Sequence, residues 1–358
     1  MIRFSDPLLV AHTAKILILT IVSFAVAILS TPLMTHFLFK YKFAKSIREG
    51  STPIYTALHK KKEGTPTSGG IIIWGTVLVL AIGLSILGSI FPESIFSWLS
   101  FLTRRETLLP LGALVACALV GLVDDYWNVR KIGPFGGGLR MMHRIIVYTV
   151  IAIIGAWWFY YKLGWNQIHV PAIGDFIIGF WYVPLFIFVI VATAFSVNEA
   201  DGLDGLAGGI MLFCFGAFGI IAFSKGMVDL AVFCGVIIGA LLAFLWFNVY
   251  PARFIMGDTG AMSLGTTLGV IAMLTDSVLV LPIIGLPLVI ESLSVIIQIT
   301  SKKIRHKKVF LSAPIHHHFE ALGWPETKVT MRFWIIAAMS ATVGIIIGII
   351  GGGKQSIL

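Results

Sequence analysis

The chain has 358 residues, 58% of them apolar and only 12% charged, about half the charged share of a soluble domain. That balance excludes a water-soluble globule. The formal net charge of +9 does not point to nucleic acid as a partner, because basic loops held against anionic inner-leaflet lipid account for it.

In chain order, apolar runs of about 20 residues recur from end to end, each long enough to cross about 30 Å of hydrocarbon as a helix. They predict an all-α polytopic membrane protein with about ten transmembrane helices, at 14–39, 70–91, 108–123, 145–161, 180–197, 206–223, 228–247, 262–281, 282–300 and 333–351. The eighth and ninth are separated only by Pro282. No internal repeat is visible, so the chain reads as one integral membrane domain, 1–358. The first run is too long for a signal-peptide core and closes on no small-residue cleavage site. Cys117, Cys214 and Cys234 lie within spans without metal-ligand spacing and read as small core residues.

Orientation follows from the basic residues. With both termini outside, segments 40–69, 124–144, 198–205, 248–261 and 301–332 face the cytoplasm and hold 19 of the 26 Lys and Arg. An active site built by these loops is therefore expected at the cytoplasmic face of the membrane. Lys40, Lys42 and Lys45 suit contact with the lipid bilayer.

The acids are scarce, 17 in all, yet Asp124, Asp125, Asp201, Asp204 and Asp258 fall where a span meets the cytoplasmic side. An ionised carboxylate near hydrocarbon is costly, so each is a functional candidate, with a helix cap as the plainer alternative. Asp124 and Asp125 are adjacent and repel, a conflict that a divalent cation relieves. Asp201 and Asp204 are three apart, which predicts neighbouring sides of one helical turn. Asp258 lies on a Pro- and Gly-rich loop. Oxygen ligands of this kind suit Mg²⁺ or Mn²⁺ over zinc. On the same face, 60–67 combines Lys60, Lys61 and Lys62 with Thr65 and Thr67, which suits a diphosphate. His316, His317 and His318 follow a basic stretch. They lack the spacing of a helical zinc site, which leaves solvated loop residues, a metal role, or contacts to phosphate or sugar. Glu291, inside the ninth span, is either a hydrogen-bonded structural acid or a site residue. Together these residues fit metal-assisted phosphoryl transfer between a soluble and a lipid substrate.

The motifs then appear in a known order: K-x-G-T-P-T-x-G-G at 62–70, D-D-Y at 124–126, D-G-L-D-G-L at 201–206, N-x-x-P-A at 248–252, M-G-D at 256–258 and A-P-I-H-H-H-F-E at 313–320, followed by Gly323, Trp324, Pro325 and Glu326. In these the chain closely resembles the polyprenyl-phosphate N-acetylhexosamine-1-phosphate transferases. The triple His and the G-T-P-T form resemble their muramoyl branch. The resemblance implies a Mg²⁺-dependent transfer of phospho-MurNAc-pentapeptide from UDP-MurNAc-pentapeptide to undecaprenyl phosphate, giving lipid I and UMP, in an enzyme whose homologues suggest a homodimer. It makes Asp258 the Mg²⁺ ligand, with Asp124, Asp125 and His317 in the catalytic group. Lys62 and Asn248 would contact the phosphates. Asp201, Gly202, Leu203 and Asp204 would border the uridine, and Thr67, Asn198, Ile255, Gln298, His316 and His318 would complete the substrate-binding set.

Departures from the family pattern are local. Asn198-Glu199-Ala200-Asp201 replaces N-L-T-D. Ile255 stands where an aromatic is expected to stack on uracil, with Phe254 beside it, and Arg144 stands where the family carries Lys. Two rival functions remain: transfer of GlcNAc-1-phosphate, which the triple His disfavours, and a secondary transporter. The latter would gather its acids near the bilayer midplane within inverted repeats.

Overall fold

The computed structural model describes residues 6–41, 43, 44, 62, 64–133 and 137–351. Most of the expected cytoplasmic segment 40–69, including Lys42, Lys45, Lys60 and Lys61, lies outside the described residues. The long helices are α1 (Pro7–Lys40), α2 (Ile71–Ile90), α3 (Leu108–Val129), α4 (Met141–Trp157), α5 (Tyr182–Ala200), α6 (Leu206–Ser224), α7 (Val228–Asn248), α8 (Gly257–Leu274) and α9 (Leu286–Arg305). A short α10 (Ile315–Ala321) and the long α11 (Glu326–Ile350) follow, and two further short helical turns lie at Ile95–Leu99 and Leu281–Ile284. Among the described residues, eight helices are long and apolar enough to cross a membrane: α1 to α7 and α11. The protein is thus an all-α, multi-pass membrane protein. α8 and α9 lie where the eighth and ninth spans are expected, but they carry Asp258 and Glu291, with Lys302, Lys303 and Arg305 in the last turn of α9.

Local signals explain several boundaries. Asp6 accepts a hydrogen bond from the Leu8 amide ahead of Pro7, and Pro287 sits in the first turn of α9, where a missing N–H costs nothing. Basic residues close α9, complementing the helix dipole. Four sequence expectations need correction. Asp124 and Asp125 belong to α3, which continues to Val129 instead of ending at 123. Asp258 occupies the first turn of α8 and is not on a loop. Residues 201–205 form a turn between α5 and α6, so Asp201 and Asp204 do not share a helical turn. A hairpin of β1 (Gln167–Val170) and β2 (Gly174–Ile177), pairing Ile168 with Phe176, precedes α5; no strand is expected there from the sequence.

α8 is the axis of the bundle. Every residue in it except Asp258 is buried, and it packs against α2, α3, α5 and α6. Around this core α1 packs on α7, α7 on α6, and α11 on α6. Without a hydrophobic drive between helices in lipid, such close packing depends on small residues. At Gly265 an added Cβ would lie 2.8 Å from the Ala194 Cα of α5. At Gly121 of α3 it would lie 2.5 Å from the Asp258 carbonyl oxygen and 2.6 Å from the Thr259 Cα.

Functional candidates gather at one end of the bundle. The opposite end holds polar latches. Lys15, inside the first span, pairs with Asp229 at 2.9 Å and donates to the Ser100 carbonyl at 2.8 Å, which compensates its charge. The His169 ring bridges Asp175 at 2.6 Å and the Gly351 carbonyl, while its backbone amide donates to Asp276 at 3.0 Å. The hairpin thereby ties the far ends of α8 and α11 together.

Since a methyl group at Gly121 would enter the backbone of α8, Gly121→Ala should separate α3 from α8. The expected cost is about 1–3 kcal/mol of overpacking, seen as a lower unfolding temperature in detergent together with reduced turnover. An unchanged unfolding temperature would contradict the close approach.

Candidate active site

The acids at the end of the bundle divide into two jobs. Asp125 is 3% exposed, and its oxygens are filled by neighbours. Oδ1 accepts the Asp258 amide at 3.0 Å, and Oδ2 accepts the Ser68 hydroxyl at 3.0 Å and the Thr259 amide at 3.3 Å. It therefore caps the N-terminus of α8 from a different helix, where unpaired N–H groups and the dipole favour an anion. Gly257 makes this possible. Its φ is +75°, and a Cβ there would lie 2.5 Å from Asp125 Oδ2, so a side chain would be both strained and obstructed.

Asp124 and Asp258 face a cation instead. Arg144, near the start of α4, donates through Nε to Asp124 Oδ2 at 2.9 Å, through Nη2 to Asp258 Oδ2 at 2.5 Å and through Nη1 to Asn198 Oδ1 at 2.9 Å. Asn198 closes the ring by donating to Asp258 Oδ1 at 2.6 Å, and the Leu139 amide donates to Asp124 Oδ1 at 2.5 Å. Three helices, α3, α5 and α8, thus converge on one guanidinium from α4. The planar fork of Arg serves several acceptors at once, which a Lys ammonium could not match in this geometry. The sequence marks Arg144 only as a departure from a pattern; its place at the centre of the site emerges from the fold.

A second cation sits beside the 201–205 turn. Lys62 donates to Glu326 Oε1 at 2.5 Å and Asp204 Oδ1 at 2.8 Å. Burial pulls the Lys62 pKa down, but Glu326 and then Asp204 outweigh it and hold the ammonium above its ordinary value. Glu326 also accepts the Asp204 amide at 2.6 Å, and Asp204 Oδ2 accepts the Ala252 amide at 3.0 Å. Asp201 Oδ2 accepts the Gly257 amide at 3.1 Å, linking this turn to α8. Leu203 is buried between the two acids. Glu326 escapes sequence reasoning as a site residue, although Pro325 ahead of it signals the helix start that presents it.

The remaining candidates line the surroundings. Loop 66–70 is sewn to 255–256 by backbone bonds from Ile255 to Pro66 (2.8 Å), Gly69 to Ile255 (2.9 Å) and Gly70 to Met256 (2.8 Å). Ile255 and Thr67 are buried along this seam. Phe254 packs into the core against Phe244 and Phe247, so it is no substitute stacking surface. Asn248 uses both ends of its amide on backbone, accepting from Gly205 at 3.0 Å and donating to the Phe254 carbonyl at 2.8 Å. Gln298 likewise holds the 309–310 backbone through three bonds of 2.9–3.0 Å. These two residues shape the site.

Each histidine has its own partner. His316 is fully buried against Glu291, Nδ1 to Oε2 at 2.9 Å, which makes Glu291 a hydrogen-bonded acid beside the site. The His316 Nε2 edge lies against Gly202, where a Cβ would come within 2.2 Å. His317 pairs with Glu320 at 2.7 Å, and His318 Nδ1 accepts the Leu311 amide at 3.2 Å. His316 thus packs against the 201–205 turn.

Among the described residues, no group of three or more His, Cys, Asp or Glu is arranged to hold a metal ion. Mg²⁺ needs less: one or two carboxylates, with water and substrate phosphates filling the other positions. Asp124 and Asp258 converge on a single cationic point and offer hard oxygen donors, so the residues present fit that ion.

The matching family model is Glycosyl transferase family 4, over residues 107–276. Three relatives carry the name phospho-N-acetylmuramoyl-pentapeptide-transferase. One from Shouchella clausii is 40% identical over 93% of this chain and 98% of its own. One from Geobacillus sp. is 38% identical over the same shares, and one from Chloroflexus aggregans is 35% identical over 97% and 93%. With such identity along nearly the whole of both sequences, the chain belongs to the phospho-N-acetylmuramoyl-pentapeptide-transferase family.

Proposed function

We propose that the protein transfers phospho-MurNAc-pentapeptide from UDP-MurNAc-pentapeptide to undecaprenyl phosphate, releasing UMP and leaving lipid I in the membrane. The observation that carries this reading is the convergence of Asp124, Asp258 and Asn198 on one cationic point at one end of a membrane bundle, with a second buried-edge cation, Lys62, beside it. That end is the cytoplasmic one, supported by the bias of Lys and Arg toward its loops.

An oxygen of the undecaprenyl phosphate attacks the phosphorus that bears the sugar. The bond from that phosphorus to the bridging oxygen breaks, and UMP departs with the electron pair. A phosphate monoester has a second pKa of about 6, so the acceptor is already mostly dianionic at neutral pH, and no strong base is required. Asp124 accordingly positions rather than deprotonates. Asp125 has both oxygens committed to α8 and Ser68, so it works by fixing Asp258. Arg144 and Lys62 are the cations to which diphosphate oxygens are drawn. His316 orders the turn that borders the uridine, while His317 and His318 are the contacts to sugar or phosphate. Asp258, with Asp124 beside it, would hold a Mg²⁺ ion, which when bound would neutralise charge on the diphosphate and the leaving group.

The direct test is UMP release by purified protein given undecaprenyl phosphate, Mg²⁺ and each UDP-sugar in turn. Turnover with UDP-GlcNAc and none with UDP-MurNAc-pentapeptide would move the protein to the GlcNAc-1-phosphate reading. Asp258→Asn keeps the size of the side chain but removes its charge. It should lower turnover by about 10²-fold or more, as loss of a key electrostatic group does, in a protein that still inserts and folds but unfolds at a lower temperature, because one of the two donors facing Asp258 would meet an amide N–H. Wild-type rates in that variant would sink the metal role. Arg144→Lys should retain the charge but lose the three-way fork, with turnover falling about tenfold, the worth of one charge-assisted hydrogen bond. A variant with undiminished turnover would show that the fork geometry is dispensable.

A further inference from the structure

Lys62 presents its charge at the site edge, yet in this structure that charge is already engaged. Two acids meet the one ammonium, so the cluster carries a formal surplus of negative charge, a poor landing place for a diphosphate. The two acids are not equivalent. Asp204 is held at both oxygens, by Lys62 and by the Ala252 amide, and belongs to the turn it stabilises. Glu326 comes from another element, the first residue of α11, and uses the single atom Oε1 for both Lys62 and the Asp204 amide.

The pair is also reachable. The Lys62 side chain is 19% exposed and that of Glu326 11%, whereas Asp124 is fully enclosed. If Glu326 let go of Lys62, its carboxylate would still sit in the first turn of α11, where the dipole and the unpaired N–H groups favour an anion. Release therefore leaves no uncompensated charge behind. A diphosphate brings more charge and more acceptor oxygens to the ammonium than one carboxylate does.

We propose that Glu326 is a positioning residue that parks Lys62 against α11 and yields it to the donor's diphosphate, so that nucleotide affinity is set by exchange of one anion for another. This rests on Lys62 being the diphosphate contact, as the proposed function has it. Glu326 then keeps Lys62 ordered and charged between turnovers, at some expense in donor affinity. A purely structural role makes the opposite prediction, because loss of Glu326 would loosen the 201–205 turn and weaken nucleotide binding.

The experiment is calorimetric titration of the full-length protein in detergent with UDP in the presence of Mg²⁺. Glu326→Gln keeps an oxygen for the Asp204 amide but removes the competing charge. It should bind UDP about two- to fivefold more tightly, the range of a partly solvated ion pair. Glu326→Asp, one methylene shorter, retracts the carboxylate and should shift affinity in the same direction, which keeps the test open should the Gln variant fold poorly. On a Lys62→Ala background the gain should vanish, the signature of coupling in a double-mutant cycle. Equal or weaker UDP binding in both Glu326 variants would overturn the proposal, as would a gain that persists without Lys62. If Lys62→Ala alone leaves UDP affinity unchanged, Lys62 is not the diphosphate contact, and the site reading beneath the proposal falls with it.

Discussion

A carboxylate withdrawn from water near hydrocarbon is tolerable only when its lone pairs are supplied with donors. Asp125 receives them from the exposed N–H groups that begin α8, and from Ser68. The same contact closes a helix terminus that would otherwise be left open. Each side solves the other's problem, and the arrangement sets the separation of α3 and α8 at the point where Gly121 lets the backbones meet. From that fixed junction Asp124 and Asp258 project into the site one residue away on either side. Their closeness is a product of helix packing, maintained against mutual repulsion by Arg144.

The charge pattern follows from this. Each cation among the site residues is surrounded by acids drawn from separate elements: Arg144 by α3 and α8, Lys62 by the 201–205 turn and α11. Such networks tie together elements far apart in sequence. They also place fixed positive charge where substrate phosphates are expected, with counter-charges that give way or share. Bidentate and multi-acceptor engagement suits Arg at the more crowded position, and a flexible ammonium suits the more open one.

The helices were legible in the sequence because hydrocarbon imposes both length and apolarity, and all ten expected runs overlap a helix. The identities of the acids were legible for the same reason, since a charge that survives beside a span stands out. What the sequence does not carry is the supply of partners. The end of the apolar run at 123 suggested a loop, yet α3 continues because Asp124 and Asp125 find donors on α8, α4 and the 66–70 seam. Asn248 and Gln298 appeared as ligands by resemblance, but their amides are committed to nearby backbone in ways that depend on the folded turn. Arg144 and Glu326 were hidden for a related reason: each is an ordinary surface-type residue until helices distant in sequence bring acids or a lysine to it. The hairpin at 167–177 gave no signal because its anchor, His169, reaches residues more than a hundred positions away.

That anchor bears on how the protein moves. The first turn of α8 is fastened by Asp125, and Asp276, just beyond its last turn, is fastened to the hairpin through the His169 amide. A rod clamped at both tips and enclosed along its flanks behaves as a fixed spindle. Admission of a bulky lipid phosphate and a nucleotide must then be accommodated by parts outside the spindle, such as the segment from His306 to Pro325. With its helix held in this way, the Asp258 carboxylate keeps a fixed place at the end of the bundle.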